Sequence, residues 1–263
     1  MLLTYPEMGD RVALVTGAAG GMGSVIAARL GANGVRVALV DVNADRLRLV
    51  AKDLANADVT AAAFPADIRA SAEIDDVVAQ VENRLGPIDY LVNAAGVLRV
   101  GEAREVSDDD WALTFDVNTT GTFYTTRAVV NRMAGRGSGA VVTIASNAAG
   151  TPRTGMAAYA ASKAATTMFT KVLGLEVARL GVRCNIVAPG STETEMLSAL
   201  WTDQDWRRPS IDGVAEQFRV GIPLGKIAQP TDVADAVLFL LSDRAGHITM
   251  HQLTVDGGAT LGH

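Results

Sequence analysis

The sequence predicts an α/β fold of the Rossmann type, a doubly wound parallel sheet of about seven strands in one domain spanning residues 1–263. Apolar, strand-like runs near residues 12, 35, 60, 90, 140, 183 and 252 alternate with helical segments near 21, 43, 71, 107, 156 and 231. A glycine-rich turn follows the first run, and neither a repeat nor a low-complexity linker divides the chain of 263 residues. Such a sheet binds its ligand at the carboxyl ends of the strands.

The first strand, turn and helix predict a dinucleotide site. The run Val12–Val15 is followed by Thr16-Gly-Ala-Ala-Gly-Gly-Met-Gly23 and then by a helical run from Ser24 to Leu30. A pyrophosphate can approach the amides at a helix N-terminus only where no side chain intervenes. The turn, spaced Gly-x-x-x-Gly-x-Gly, is therefore expected to contact the cofactor through Gly17, Gly21, Met22 and Gly23.

The second strand predicts the choice of cofactor. The run Val35–Val40 ends in Asp41, eighteen residues after Gly23. A carboxylate at this position accepts hydrogen bonds from ribose hydroxyls and repels a 2′-phosphate. Neither Ala18 nor Ala19 supplies a cation, so NAD is expected in preference to NADP. The alternative for Asp41 is a cap on the following helix.

Two later helices carry start signals. Ser107-Asp-Asp-Asp110 is typical of an N-cap followed by an acidic first turn, with Asp110 placed to close a capping box. The helix that it begins carries Asn118, which is either a functional amide or only a polar residue that bends the helix. Thr231, after Pro230, is expected to cap the last long helix.

A base for proton transfer is predicted from three residues. Tyr159 and Lys163 lie four residues apart in an alanine-rich helical stretch, so their side chains share one face. The ammonium is expected to lower the pKa of the phenol, which is ordinarily about 10. Ser146 follows the strand-like run Ala140–Ala145 and is expected to converge with them on one substrate oxygen.

Two arginines are candidates for holding a substrate carboxylate, because a planar guanidinium can bind both of its oxygens. Arg153 lies on the loop between Ser146 and Tyr159, and Arg99 follows Asn93-Ala-Ala-Gly96 at the end of another strand. Either could instead be an ordinary solvated arginine.

Residues 191–221, with two tryptophans and mixed charges, predict a substrate lid, in which Trp201 or Trp206 contacts substrate or packs within the lid.

Composition excludes several classes of protein. The net charge of −6, without a basic run, argues against a nucleic-acid partner. No apolar stretch reaches the eighteen residues of a membrane span, and the N-terminal residues do not resemble an export signal, so a cytoplasmic protein is expected. Cys184, the only cysteine, is expected in a buried strand. His247 and His251 lack a third ligand and the protease glutamate, so no metal is expected.

Across essentially its whole length the chain resembles the short-chain dehydrogenase/reductase family. The matching positions are Thr16 to Gly23 and the residues named in the rest of this paragraph, apart from Ala94. The resemblance implies a catalytic tetrad of Asn118, Ser146, Tyr159 and Lys163, with Lys163 also holding the nicotinamide ribose. It implies that Asp67 and Ile68 hold the adenine, that Asn93 steadies the sheet beside the ribose, and that Thr194 meets the nicotinamide amide. Further cofactor contacts are implied for Gly96, Pro189, Gly190 and Thr192. Ala94 departs from the second asparagine of many members. A homotetramer built partly from the helix of Tyr159 is also implied.

A narrower similarity, to the members that oxidise 2,3-dihydro-2,3-dihydroxybenzoate, covers segments of the second half: Val142–Tyr159, Arg183–Met196, Glu216–Lys226 and His247–Gly262. It implies NAD-dependent oxidation of this cyclohexadiene carboxylate, the trans isomer, at its C3 hydroxyl, on a route to catechol siderophores. Tyr159 would be the general base, Ser146 would orient the hydroxyl, and Asn118 would fix a water that relays the proton.

Three alternatives remain at this point. One is oxidation of 2,3-dihydro-3-hydroxyanthranilate, whose C2 ammonium favours a carboxylate such as Glu193 or Glu195. Another is 3-oxoacyl reduction, which uses the same tetrad. The third is a regulator that binds NAD without catalysis, which would not require Ser146, Tyr159 and Lys163 in register.

Overall fold

The seven predicted strands form a single parallel sheet in the computed structural model, which describes residues 4–198 and 207–262. In chain order the strands are β1 (Val12–Thr16), β2 (Arg36–Asp41), β3 (Ala61–Pro65), β4 (Tyr90–Asn93), β5 (Gly139–Ile144), β6 (Val182–Pro189), β7 (Gly213–Val214), β8 (Arg219–Val220) and β9 (Gln252–Val255). The sheet has the order β3-β2-β1-β4-β5-β6-β9, while β7 and β8 form a separate antiparallel pair. The predicted Rossmann-type fold is confirmed. The order reverses direction between β1 and β4, where a doubly wound sheet opens a ligand crevice.

Helices cover both faces of the sheet. They are α1 (Gly21–Gly31), α2 (Ala44–Asn56), α3 (Ser71–Leu85), α4 (Asp108–Phe115), α5 (Thr122–Arg136), α6 (Ala157–Val177), α7 (Glu195–Ser198), α8 (Arg207–Asp212) and α9 (Pro230–Leu241). Strand residues alternate between the faces, so Ala13 and Val15 pack with α1 and α9 while Val12 and Leu14 pack with α3 and α5. Burial on both faces explains the nearly continuous apolar runs from which the strands were predicted.

A π-helical turn joins α4 and α5. It spans Asp116–Gly121 and contains Asn118, whose carbonyl oxygen accepts hydrogen bonds from the hydroxyls of Thr122 (2.8 Å) and Thr166 (3.0 Å). Single π-turns within α-helices frequently mark functional sites. Sequence periodicity predicted one helix here and gave no sign of this irregular turn.

The helix caps were predicted with mixed success. Ser107 caps α4, because its hydroxyl accepts from the amide of Asp110 at 3.1 Å. Asp110 does not close the box on the backbone, since its carboxylate accepts from the Ser107 hydroxyl instead. The prediction for Thr231 was wrong. The N-cap position of α9 is Gln229, whose backbone N–H donates to the Asp232 carboxylate at 2.8 Å, while the Asp232 backbone N–H donates to the Gln229 backbone carbonyl at 2.9 Å.

The predicted lid, residues 191–221, contains α7, α8, β7 and β8 in its described parts. Trp201 and Trp206 lie outside the described residues.

Cys184 is fully buried on β6, as expected of a strand residue, and burial raises its pKa to about 12. Among the described helices, none combines the length and the apolar character that crossing a bilayer requires.

Candidate active site

Two adjoining pockets open at the carboxyl ends of the strands. The larger, about 1390 Å³, is lined by the glycine turn, Asp41 and Asp67. The smaller, about 810 Å³, is lined by Ser146 and Tyr159. Met22 and Thr194 line both pockets. The sizes and the connection suit a dinucleotide in one pocket and a small ring substrate in the other.

The glycine turn leaves its backbone accessible, as predicted. Gly17 has a φ of +67°, and a Cβ there would lie 2.7 Å from the backbone of Ala95. Gly21, with a φ of +49°, is the first residue of α1. The turn lines the larger pocket at this helix N-terminus, where a backbone with few side chains fits a pyrophosphate.

Asp41 joins the end of β2 to the glycine turn. Its carboxylate accepts from the amides of Ala19 (3.1 Å) and Asn43 (2.9 Å), and it lines the larger pocket. Asn43, not Asp41, caps α2, since the Asn43 side chain accepts from the amide of Arg46 at 3.0 Å. The capping alternative for Asp41 is therefore wrong.

One cation near this carboxylate was missed. Arg46 faces Gly20, and its guanidinium binds both oxygens of Glu195 at 2.8 and 3.0 Å. The pair joins the first turn of α2 to the lid, and Glu195 counters the charge that would otherwise favour a 2′-phosphate. The two residues are 149 positions apart, so no local pattern predicts their contact.

The residues expected to hold the adenine or to lie beside the ribose differ in how deeply they are buried. Asp67, Ile68 and Gly96 line the larger pocket, with the Asp67 carboxylate paired to Arg69 at 2.6 Å. This hydrogen-bonded pair lowers the pKa of Asp67. Asn93 lies beneath the pocket, 2% exposed, and donates to the hydroxyl of Thr126 at 2.9 Å. It links β4 to α5, which agrees with a role in steadying the sheet.

The residues of the β6 end line the smaller pocket. Pro189, Gly190, Thr192 and Thr194 lie there in sequence. Thr192 is buried and donates to the carbonyl of Gly190 at 3.2 Å, and the Thr194 hydroxyl accepts from the amide of Leu197 at 3.3 Å. Thr194 thus lines both pockets, and its contact with the nicotinamide amide stays a prediction.

Ser146, Tyr159 and Lys163 come together as predicted. Ser146 and Tyr159 line the smaller pocket, and the Lys163 ammonium lies behind them, 5.9 Å from the centre of the Tyr159 ring. Lys163 is 5% exposed and donates to the carbonyl of Ile144 at 2.8 Å. One helix, α6, fixes both the phenol and the ammonium, while the end of β5 presents the serine.

The pKa values of the tyrosine and lysine differ from the expectation. Burial raises the pKa of Tyr159, and the neighbouring Ser146 hydroxyl is the group that lowers it. Burial also lowers the pKa of Lys163 to about 8. The Lys163 ammonium was expected to lower the pKa of the Tyr159 phenol. In the structure, desolvation of the phenol is the larger effect, and it raises that pKa.

Asn118 holds the π-turn against the loop after β4. Its amide nitrogen donates to the carbonyl of Val97 and the hydroxyl of Ser162, both at 3.0 Å, and its side-chain oxygen accepts from the Val97 amide at 2.8 Å. A Cβ at Gly96 would lie 3.3 Å from both this oxygen and the Lys163 nitrogen. The two polar groups therefore face the same point beside Gly96.

The structure separates the two candidate arginines. Arg153 lines the smaller pocket and donates to the carbonyl of Ala259 at 3.2 Å. Burial lowers the pKa of Arg153, partly opposed by Asp256. Arg99 lines the larger pocket, is half exposed and pairs with Asp110 at 3.2 Å. Of the two predicted arginines, Arg153 and not Arg99 shares a pocket with Ser146 and Tyr159.

Sequence reasoning missed four polar residues that line this pocket, Asn147, Ser191, Ser210 and Arg219. Arg219, on β8, lines it beside Arg153. Asn147 also lines it and donates to the Asp256 carboxylate at 3.2 Å. Arg219 lies between two apolar residues, Phe218 and Val220, which is the only local sign that it belongs to a strand. Groups of three or more potential metal ligands do not occur within residues 4–198 and 207–262.

Comparison with known proteins adds a family and several relatives. A family model described as short chain dehydrogenase matches residues 11–205. The chain is 55% identical over 252 residues to 2,3-dihydro-2,3-dihydroxybenzoate dehydrogenase of Bacillus subtilis, covering 96% of this chain and 97% of that protein. It is 47% identical over 196 residues to the Escherichia coli enzyme of the same name, covering 74% and 79%. The crystal structure of gox2181 superposes with a TM-score of 0.89 at 29% identity, covering 97% of this chain and 98% of that one.

Proposed function

The chain belongs to the short-chain dehydrogenase family, and from that premise we propose that it oxidises the C3 hydroxyl of trans-2,3-dihydro-2,3-dihydroxybenzoate to give 2,3-dihydroxybenzoate, with NAD⁺ as cofactor. The observation that carries the proposal is Arg153 in the same pocket as Ser146 and Tyr159. That pocket offers a proton acceptor for a ring hydroxyl and a guanidinium for a ring carboxylate. Relatives at 55% and 47% identity are named for this reaction.

The larger pocket supports the choice of cofactor. Its glycine turn accepts a pyrophosphate, and Asp41 stands where the adenosine ribose hydroxyls would lie. Arg46, which lies beside Gly20 of the turn, is already paired with Glu195. A 2′-phosphate would meet a carboxylate there, so NAD is preferred over NADP.

The catalytic steps follow from the placement of the side chains. NAD⁺, when bound, supplies the hydride acceptor. Tyr159 removes the proton from the C3 hydroxyl as general base, and Ser146 orients that hydroxyl and stabilises the charge that develops on its oxygen. Lys163 holds the nicotinamide ribose and favours the phenolate. Asn118 fixes a water that relays the proton outward from the point that it and Lys163 face beside Gly96.

The ring itself favours the forward reaction. Loss of hydride from C3 and of a proton from its hydroxyl gives a ring ketone, and enolisation of that ketone produces an aromatic ring. Aromatic stabilisation then draws the oxidation toward product in a way that ordinary alcohol oxidation lacks. The protein therefore has to supply a base, an orienting hydroxyl and an anchor for the acid, all of which meet in the smaller pocket.

The contacts of two glutamates favour a hydroxyl over an amine at C2. Glu195 is bound to Arg46, and Glu193 is bound to Arg207 and to Gln229, the latter at 2.7 Å. Among the described residues that line the smaller pocket, no side chain is a carboxylate. An ammonium at C2 would be desolvated there without a carboxylate partner from the described pocket lining, which is unfavourable.

The setting of the reaction is part of the same proposal. We place the enzyme in the cytoplasm, in siderophore-type biosynthesis, as a homotetramer that uses α6. Exposed apolar side chains on α6 support the last point: Met168, Val172 and Leu175 are 60%, 47% and 69% exposed. Apolar side chains exposed in this number along one helix are typical of a surface that another copy covers.

The test is turnover of the diol acid with NAD⁺, with the product identified by mass spectrometry. We expect 2,3-dihydroxybenzoate from the wild type, and a fall in kcat/KM of at least about thirtyfold in Arg153→Gln from the loss of a charged pair. Arg104→Gln, at an exposed arginine paired with Glu102, is the matched control and should stay within about threefold of wild type. No product from the wild type would refute the proposed function, and equal effects of the two substitutions would refute the role of Arg153.

A further inference from the structure

A buried carboxylate, that of Asp256, lies behind the wall of the smaller pocket. Asp256 follows β9 and is 8% exposed. It packs against the end of β6, since a Cβ at Gly190 would lie 2.6 Å from the Asp256 Cβ and 3.3 Å from the side-chain nitrogen of Asn147. Gly190 and Asn147 both line the pocket, whereas Asp256 does not. The carboxylate therefore supports the pocket wall from behind.

Asp256 organises the C-terminal turn, residues 256–260. Its carboxylate accepts from the backbone N–H of Gly258 at 2.9 Å and from the hydroxyl of Thr260 at 2.8 Å. Its backbone carbonyl accepts from the N–H of Ala259 at 3.2 Å. An aspartate side chain that bonds to the backbone two residues onward stabilises a turn. The C-terminal turn thereby places Ala259, which is 7% exposed, in the lining of the smaller pocket.

The same carboxylate holds the loop between β5 and α6 at two points. It accepts directly from the side-chain nitrogen of Asn147 at 3.2 Å, next to Ser146. Through the C-terminal turn it also fixes the Ala259 carbonyl, which accepts from the Arg153 guanidinium at 3.2 Å. Asp256 is thus connected on one side to the neighbour of the serine that orients the hydroxyl and on the other side to the arginine of the acid site.

The charges of Asp256 and Arg153 also act on each other. Burial acts to raise the pKa of Asp256, but hydrogen bonds from Thr260, Asn147 and Gly258 together lower it below its ordinary value. The side chain is therefore ionised at neutral pH. Burial lowers the pKa of Arg153, and the negative charge of Asp256 opposes that shift. A partly buried guanidinium is stabilised by a fixed anion nearby.

We propose that Asp256 is a positioning residue for acid recognition, which holds Arg153 in place relative to Ser146 and so matches the pocket to a ring that carries both a hydroxyl and a carboxylate. Arg153 touches the acid, and Asp256 acts through Arg153. A misplacement of about 1 Å in a site can cost about a hundredfold in rate, so the support of the arginine matters as much as its presence. The role of Arg153 itself rests on the proposed function.

The test compares a ring acid with its neutral counterpart. Binding of 2,3-dihydroxybenzoate and of catechol, which lacks only the carboxylate, is measured by titration calorimetry on the enzyme loaded with NADH. Asp256→Asn keeps the shape of the side chain and removes its charge and one acceptor oxygen. We expect it to bind the acid at least about tenfold more weakly than the wild type and to bind catechol within about threefold of the wild type.

Asp89→Asn is the matched control. The Asp89 carboxylate also accepts from a backbone N–H, that of Val12 at 2.9 Å, but it lies at the opposite end of the sheet, where β1 and β4 begin. This variant should bind both compounds as the wild type does.

A double variant distinguishes positioning from general support of the fold. If Asp256 acts through Arg153, adding Asp256→Asn to Arg153→Gln should weaken binding of the acid by less than about twofold. An equal loss in both backgrounds would show that Asp256 acts independently of Arg153. Equal weakening of the acid and of catechol in Asp256→Asn alone, or an unchanged affinity for the acid, would overturn the inference as well.

Thr260→Val is the milder variant that decides the question if Asp256→Asn does not fold. It removes the hydroxyl that donates to the Asp256 carboxylate at 2.8 Å, and Thr260 does not itself line the smaller pocket. We expect binding of the acid to weaken by about threefold and binding of catechol to stay unchanged. Affinity for the acid equal to that of the wild type would overturn the inference.

Benzoate separates this inference from the proposed function. If the wild type fails to oxidise the diol acid but Asp256→Asn weakens benzoate binding and leaves catechol binding unchanged, the positioning role stands and the proposed substrate falls. If the wild type oxidises the diol acid and Asp256→Asn binds benzoate and 2,3-dihydroxybenzoate as tightly as the wild type, the reverse holds. A wild type that binds no ring acid overturns the inference directly.

Discussion

Replacing Lys163 with methionine should make the protein more stable at neutral pH while removing its activity. Lys163 is 5% exposed, and burial lowers its pKa from 10.5 to about 8. One pKa unit corresponds to about 1.36 kcal/mol, so keeping this side chain charged in the folded protein costs about 3 kcal/mol. Methionine keeps a straight apolar chain of similar length without the charge.

Proton linkage determines how the contribution of Lys163 to the free energy of unfolding changes with pH. The folded protein gives up the Lys163 proton near pH 8 and the unfolded chain near pH 10.5, so the unfolded state binds more protons between those values. The unfavourable contribution is therefore fully present below about pH 8 and disappears as the pH rises toward 10.5. Loss of the bond from Lys163 to the Ile144 carbonyl, worth about 1 to 3 kcal/mol, opposes the gain in the variant.

The assay is urea unfolding of wild type and Lys163→Met at about pH 7 and about pH 10. We expect a net gain of about 1 kcal/mol for the variant at the lower pH. We also expect the wild type to gain about 2 to 3 kcal/mol more than the variant on going to the higher pH, since all other titrating groups are common to both. Lys52→Met, at an exposed position of α2, is the control and should follow the wild type. A variant with the same pH dependence as the wild type would refute the reasoning.

The remaining predictions concern the base, the cofactor and the point shared by Asn118 and Lys163. Tyr159→Phe keeps the ring and loses the proton acceptor, so it should bind NADH in a fluorescence titration but lose nearly all turnover; activity within about tenfold of wild type would contradict its role. The wild type should prefer NAD over NADP by at least about a hundredfold in kcat/KM, and Asp41→Ala should narrow that ratio; equal use of both by the wild type would contradict the role of Asp41. Gly96→Ala would place a Cβ 3.3 Å from both the Asn118 oxygen and the Lys163 nitrogen, so its kcat should fall by about tenfold or more. The control Gly150→Ala, where a Cβ meets nothing within 4 Å, should be unchanged, and equal kcat values for the two variants would contradict this placement.

The sequence predicted those features that depend only on neighbouring residues in the chain. The five inner strands of the sheet are nearly continuous buried apolar runs, and Gly17 of the glycine turn is needed because a side chain there would collide with Ala95. Tyr159 and Lys163 were recognisable because one helix fixes their spacing. The N-cap at Ser107 was predicted for the same reason, but Gln229 was overlooked in favour of Thr231, since glutamine is an uncommon cap.

Contacts between residues that are far apart in the chain could not be predicted from sequence patterns. Arg153 and Arg219 line one pocket although they are far apart in the sequence, and Arg46 binds Glu195 across 149 positions. The two candidate arginines looked equivalent in sequence, and only the fold assigns Arg99 to the larger pocket. The raised pKa of Tyr159 was also unforeseen, because desolvation depends on everything packed around the phenol.

The most direct test of the proposed chemistry is a comparison of two ring acids with NAD⁺. The wild type is supplied with trans-2,3-dihydro-2,3-dihydroxybenzoate or with 2,3-dihydro-3-hydroxyanthranilate, and formation of NADH is followed to obtain kcat/KM for each. Because the described pocket lining offers two guanidiniums and no carboxylate, we predict that the diol acid is oxidised at least about tenfold more efficiently. A higher kcat/KM for the amine, or no turnover of either compound, would contradict the account.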